Sequence, residues 1–112
     1  MSERIAKVNS VLRRAIGDIV LLEHNHPSFQ MISVVKVDTL KDLSSAKVYV
    51  SAIRNQEDLV KYLTKIQPII QKKLAKRVKL RILPKLKFML DLETEYLAKM
   101  NRLIEVSTPK ST

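Results

Sequence analysis

Residues Leu59 to Phe88 read LVKYLTKIQPIIQKKLAKRVKLRILPKLKF. The stretch holds ten basic residues: Lys61, Lys65, Lys72, Lys73, Lys76, Arg77, Lys79, Arg81, Lys85 and Lys87. It holds no Asp or Glu. The chain has 21 basic and 11 acidic residues, so the remainder balances at eleven of each. The entire net charge of +10 therefore lies in this one segment. A concentration of one sign on this scale suits a polyanion. The segment is also too apolar for a disordered tail. Leu59, Leu63, Ile66, Ile70, Leu74 and Val78 recur at three or four residues, the helical period. With Ile70, Leu74 and Val78 as the buried stripe, Lys72 and Lys76 point away from the core. Lys73 and Arg77 fill one shoulder, and Gln71 and Ala75 the other. Ordinary solvated faces mix charge signs; this one does not.

Pro68 interrupts the pattern. Inside a helix a proline removes a donor and clashes with the preceding turn, at a cost of about 3 kcal/mol, but it is tolerated as a first helical residue. The expected arrangement is two helices, Asp58–Ile66 and Pro68–Val78, joined by a kink at Gln67. The second would open with free backbone N–H groups and a partial positive charge, suited to phosphate. A purely structural kink is the competing reading.

Working outward, the chain of 112 residues is long enough for one small domain with one core. With no cysteine there is no disulfide or thiol chemistry, which fits a reducing compartment. No apolar run is long enough to span a membrane, and the N-terminus has no apolar signal core. Gly17 is the single glycine, which excludes phosphate-cradling and dinucleotide-binding glycine loops. Toward the N-terminus, Ser2 caps an expected helix from Glu3 to Leu22, with Ile5, Val8, Leu12, Ile16 and Ile19 as its core stripe beside Val11 and Ala15. Gly17 lies mid-helix, where it could let another element pass close by. Glu23 to Ser28 reads as a loop. His24 and His26 there have no third ligand at a usual spacing, so they read as solvated side chains and no metal is expected.

Met31–Thr39 and Ala46–Ser51 read as strands of a hairpin. Ala46, Val48 and Val50 point inward; Lys47, Tyr49 and Ser51 point to a solvated face, where Tyr49 covers a neighbouring side chain or offers a stacking surface. Asn55 reads as an N-cap, with Glu57 and Asp58 in the first turn. Beyond Pro84, Lys85–Glu93 alternates as a third strand, with Leu86, Phe88, Leu90 and Leu92 inward and Lys87, Met89 and Asp91 outward. A final helix, Glu95–Val106, follows a Thr94 cap. The expected boundaries are one domain over 1–106 and a frayed tail over 107–112. The fold class is α+β: a helix, two strands, a kinked helix pair, a strand and a helix, with the helices on one face of a three-stranded sheet. The second and third strands are expected to be joined by a right-handed crossover. This order matches type II KH domains, which hold nucleic-acid backbone at the turn between paired helices.

Three stretches resemble the bacterial ribosome-binding factor A family. They are Asp42-Leu43-Ser44-Ser45-Ala46-Lys47-Val48-Tyr49-Val50-Ser51, Leu80-Arg81-Ile82-Leu83-Pro84-Lys85-Leu86-Lys87-Phe88-Met89-Leu90-Asp91, and Arg4-Ile5-Ala6-Lys7-Val8. The resemblance implies a type II KH-like fold without catalysis or cofactor. It also implies a cytoplasmic, monomeric factor that binds the immature small (30S) ribosomal subunit and assists maturation of its RNA, notably in the cold. The family replaces the KH Gly-x-x-Gly loop with an Ala-x-Gly kink; the matching positions here are Ile66, Gln67 and Pro68, without the glycine. The expected RNA-binding residues are Lys65, Lys72, Lys73, Lys76, Arg77, Lys79, Arg81, Lys85 and Lys87. The competing readings are a general basic nucleic-acid-binding domain, with no recognition helix or zipper to support DNA readout, and an anionic-membrane-surface adaptor, without aromatic anchors. An enzyme is the weakest class, because no nucleophile–base pair or carboxylate motif stands out.

Overall fold

The computed structural model describes residues 3–92. The expected Ser2 cap, the final helix at Glu95–Val106 and the 106/107 boundary lie outside them. The described elements are α1 (Glu3–Glu23), a short 3₁₀ turn (Pro27–Phe29), β1 (Ile32–Thr39), β2 (Ser45–Ala52), α2 (Gln56–Lys65), α3 (Gln67–Arg77) and β3 (Lys85–Leu90). The sheet order is β1-β2-β3, with β1–β2 antiparallel and β2–β3 parallel. A parallel pair needs a crossover, and α2 and α3 supply it.

All three described helices pack on one face of the sheet. Leu12, Ile16, Ile19 and Val20 of α1, Leu59 and Leu63 of α2, and Ile70 and Leu74 of α3 are fully buried with Val48 and Val50 of β2. Val11, expected at the flank of the α1 stripe, is 46% exposed, and Val20 takes a core position instead. Alternation along β2 holds as read. In β1 it cannot hold strictly, because Val34 and Val37 both serve the core side. A register shift between Val34 and Lys36 inserts Val35 as a bulge. Lys36 then opposes Tyr49, and Asp38 opposes Lys47, on the open face.

Several boundaries and contacts differ from the expectations. The third strand ends at Leu90, not Glu93. Beyond it the alternation reverses: Asp91 is buried and Leu92 is 64% exposed. Asn55 stands at the N-cap position of α2 as expected, but its side chain makes no capping bond. It sits at φ 54°, ψ 39°, and its side chain donates instead to the Ser28 carbonyl at 2.7 Å, tying the start of α2 to the α1–β1 loop. The loop histidines are not merely solvated. His26 Nδ1 accepts from the Ser28 N–H at 3.1 Å and caps the 3₁₀ turn. His26, Phe29 and Tyr62 form a ring cluster, and the Tyr62 hydroxyl donates to the His24 carbonyl at 3.0 Å.

The β1–β2 turn explains why its sequence is so particular. Asp42 Oδ1 accepts from the Ser44 N–H at 3.0 Å and from Ser44 Oγ at 2.7 Å. Leu43 takes φ 62°, a left-handed conformation that this aspartate-anchored turn holds. These two bonds hold the Asp42 carboxyl below its ordinary pKa.

Gly17 faces β1, yet a β-carbon there would meet only Val34 Cβ at 4.0 Å, an ordinary contact. Its glycine is therefore not sterically required. Gly17→Ala should raise unfolding stability by about 1 kcal/mol through helix propensity alone. A loss of stability in chemical denaturation would mean that α1 and β1 pack more tightly than this geometry states.

Candidate nucleic-acid interface

The interface begins at the elbow between α2 and α3. Ile66 is both the last cap of α2 and the first cap of α3, at φ −97°, ψ 8°. The break thus falls one residue earlier than expected: Gln67 and Pro68 are the first two residues of α3. Proline is accommodated in that first turn because the amide it lacks would have no helical partner there.

Backbone amides do not form a phosphate cradle at this elbow. Pro68 has no N–H, and the N–H groups of Ile69 and Ile70 both donate to the Ile66 carbonyl at 3.0 Å. Anion binding here must come from side chains.

The side chains divide into three groups. Lys65, Lys72, Lys76, Lys79, Arg81 and Lys85 are exposed, and no carboxylate among the described residues pairs with them. Lys73 and Arg77 are engaged: Glu23, at the end of α1, lies 3.0 Å from Lys73 Nζ and 3.3 Å from Arg77 Nη2. His24 Nε2 is also 3.0 Å from Lys73 Nζ. Lys87 stands apart. It points from the open face of the sheet, and its register partner there is Lys47. The sequence pattern missed Glu23 because its partners lie far along the chain, on a different helix. It missed Lys47 because only strand pairing puts Lys47 beside Lys87.

Between α3 and the start of β3 lies a shallow groove lined by Gln67, Pro68, Gln71, Lys72, Ala75, Leu83 and Lys85. The uncharged shoulder read from the helical wheel is its floor. Gln71 fixes the groove to the free edge of the sheet: its side chain donates to the Pro84 carbonyl at 2.8 Å and accepts from the Leu86 N–H at 3.1 Å. These two bonds cover the start of the β3 edge, the end at which a strand would otherwise add beside the groove. Lys72 and Lys85 flank the groove.

Glu23 and His24 titrate in a linked environment. The hydrogen bond from Lys73 holds the Glu23 carboxyl below its ordinary pKa, with the charges of Lys73 and Arg77 adding to it. Burial holds the His24 imidazole below its ordinary pKa, and the Lys73 charge adds to that. Among the described residues no three His, Cys, Asp or Glu side chains cluster as a metal site.

These features define a class: a type II KH-like α+β domain whose helical elbow carries a dense, largely uncompensated basic surface. Known proteins narrow it. The family model for ribosome-binding factor A matches residues 4–104. Ribosome-binding factor A of Carboxydothermus hydrogenoformans is 34% identical over 107 residues, covering 93% of this chain and 86% of that protein. The Staphylococcus carnosus protein of the same name is 31% identical, covering 91% of each. The crystal structure of ribosome-binding factor A from Thermus thermophilus superposes with a TM-score of 0.71 at 30% identity, covering 77% of this chain and 94% of that one. A homology model of the Thermus thermophilus factor, as fitted into the cryo-EM map of a complex of 30S with ribosome-binding factor A, gives 0.66 at 29% identity, with 80% and 93% coverage. This chain belongs to the ribosome-binding factor A family.

Glu23 and His24 both bind fewer protons in the fold than in the open chain, so each contributes stability that is full above its unfolded pKa. The His24 contribution is lost as pH falls below 6.5, and that of Glu23 only as pH falls below 4.5. The melting temperature should therefore drop on mild acidification, and His24→Gln should flatten the upper part of that drop. An identical profile for the variant would exclude His24. At the elbow, straightening would pull either Leu59 and Leu63 or Ile70 and Leu74 out of the core. Each such side chain is worth about 1.5–3 kcal/mol, more than any gain in helix propensity. Pro68→Ala should thus leave the elbow, the melting temperature and RNA affinity essentially unchanged. Weaker RNA binding by a stable variant would show that proline itself sets the angle.

Proposed function

We propose that this chain is a non-catalytic ribosome-assembly factor that binds the immature small subunit in the cytoplasm, as a monomer, and assists processing and maturation of its RNA, including at low temperature. The observation that carries this reading is the set of exposed cations around the elbow that no described carboxylate pairs with, in a member of the ribosome-binding factor A family. Lys65, Lys72, Lys76, Lys79, Arg81 and Lys85 contact phosphates directly. Lys73 and Arg77 join them when Glu23 releases them, and Lys87 contributes from the sheet. Phosphate contacts position the domain, and the groove beside Lys72 and Lys85 admits backbone or an unpaired nucleotide.

The adaptor reading is not favoured. A helix that binds a membrane surface needs an apolar face free to insert, whereas α3 buries Ile70 and Leu74 in the core and leaves Ile69 as its one exposed large apolar side chain.

If four to six phosphates are neutralised, log affinity against log salt should have a slope of roughly −3 to −5. Lys72→Ala with Lys76→Ala should reduce the magnitude of that slope by about two, and stability should change by no more than about 0.5 kcal/mol. Glu23→Gln should act in the opposite sense, tightening binding and steepening the slope, because it frees two cations. Binding to small-subunit RNA that ignores salt would rule out the electrostatic reading. Co-sedimentation of the protein with immature small-subunit particles in a sucrose gradient tests the assignment to assembly.

A further inference from the structure

The open face of the sheet carries a second group of cations, which meets the elbow set at Lys85. Four lysines project from it: Lys36 on β1, Lys47 on β2, and Lys85 and Lys87 on β3. Asp38, opposite Lys47, is the one carboxylate on β1, β2 and β3 that shares this face. Lys47 and Lys87 are direct register partners on neighbouring strands. Like charges in that position oppose folding, and no described carboxylate forms a salt bridge with either. Lys36 Nζ lies 4.8 Å from the Tyr49 ring centroid, so the one aromatic side chain that these strands place on the face is already covered by a cation.

Lys36 and Lys47 lie outside the charge-dense stretch of sequence. The fold alone assembles them with Lys85 and Lys87. Lys85 also lines the groove beside Lys72, so the cations pass around the β3 edge from the helical layer to the sheet. The helices cover one side of the sheet and these lysines leave the other. One straight stretch of nucleic-acid backbone cannot reach both sides at once.

We infer that the open sheet face binds a second RNA backbone, so that one copy of the domain bridges two RNA segments, with Lys36 and Lys47 as binding residues of that second site. The inference rests on the RNA-binding reading above. Four exposed lysines suit phosphates, whereas the half-buried Met89 and the cation-covered Tyr49 offer little of the desolvated aromatic or aliphatic hot spot that a protein partner would call for.

The test uses short RNA duplexes carrying donor or acceptor dyes, mixed with the full chain. Energy transfer reports bridging, and native mass measurement gives the stoichiometry. The wild-type protein should bring donor and acceptor together at one protein per two duplexes. Lys36→Gln with Lys47→Gln should still bind one duplex but lose the transfer, with the salt slope smaller in magnitude by about two. Lys72→Gln with Lys76→Gln should lose the transfer by vacating the other side. Three results would overturn the inference: a sheet variant that bridges like wild type, a sheet variant that loses all RNA binding, or bridging only at two proteins per two duplexes. A wild-type chain that binds no RNA would bring down the functional reading itself. A chain that binds through the elbow but never bridges would bring down this inference alone.

Discussion

Leu59, Leu63, Ile70 and Leu74 are fully buried, and their packing against the sheet is the constraint on which the rest of the domain depends. Four such side chains are worth on the order of 6–12 kcal/mol of gross burial. That is comparable with the whole net stability of a small domain. Because α2 and α3 both lay these residues on the same core, the chain bends at Ile66, and core burial favours that bend independently of the proline. The bend in turn fixes where the cations of α3 emerge, and places Gln71 where it can hydrogen-bond the edge strand.

The helical and strand periods made most of this legible. Six of the seven described elements follow from apolar spacing, and Pro68 marks the elbow closely. What the sequence could not reveal were effects between distant segments. The bulge at Val35 answers a conflict between two inward valines, which becomes visible only once β2 supplies the register. Asn55 has the composition of a cap, but the Ser28 carbonyl offers its amide a better partner. Asp91 reads as outward by alternation, yet the strand ends at Leu90 and the phase is lost. The Asp42–Ser44 stretch reads as a polar connection, and only the fold shows that the aspartate anchors a turn with Leu43 in a left-handed conformation.

The site was legible as a charge density but not as a geometry. The basic stretch is continuous in sequence, and the fold distributes it over a helical face, a loop, an edge and the far side of a sheet. Conversely, Lys36 and Lys47 look unremarkable in sequence, where acidic neighbours such as Asp38 and Asp42 balance them. Strand pairing converts alternate lysines on three strands into one field. Surface charge is therefore a property of topology here, and counts along the chain assign it to the wrong neighbours.

A helix made for a polyanion must also fold without one. On α3, Lys72 with Lys76 and Lys73 with Arg77 are like-charge pairs one turn apart, each mildly destabilising. The helix dipole offsets part of this, since Lys76 and Arg77 lie at the C-terminal end. Glu23 offsets more by reaching both Lys73 and Arg77 from the end of α1. One acid thus offsets part of the charge of the pair nearest α1, and no described carboxylate pairs with the outward pair, Lys72 and Lys76. Its salt bridges are half-exposed, so each is weak enough for a phosphate to displace. The arrangement keeps α3 docked in the free protein and leaves its outer face to the ligand. Among the described residues, the one carboxylate that touches this surface comes from a different helix. An acid within α3 would move with the binding face and compete at every contact, whereas Glu23 competes at two cations only.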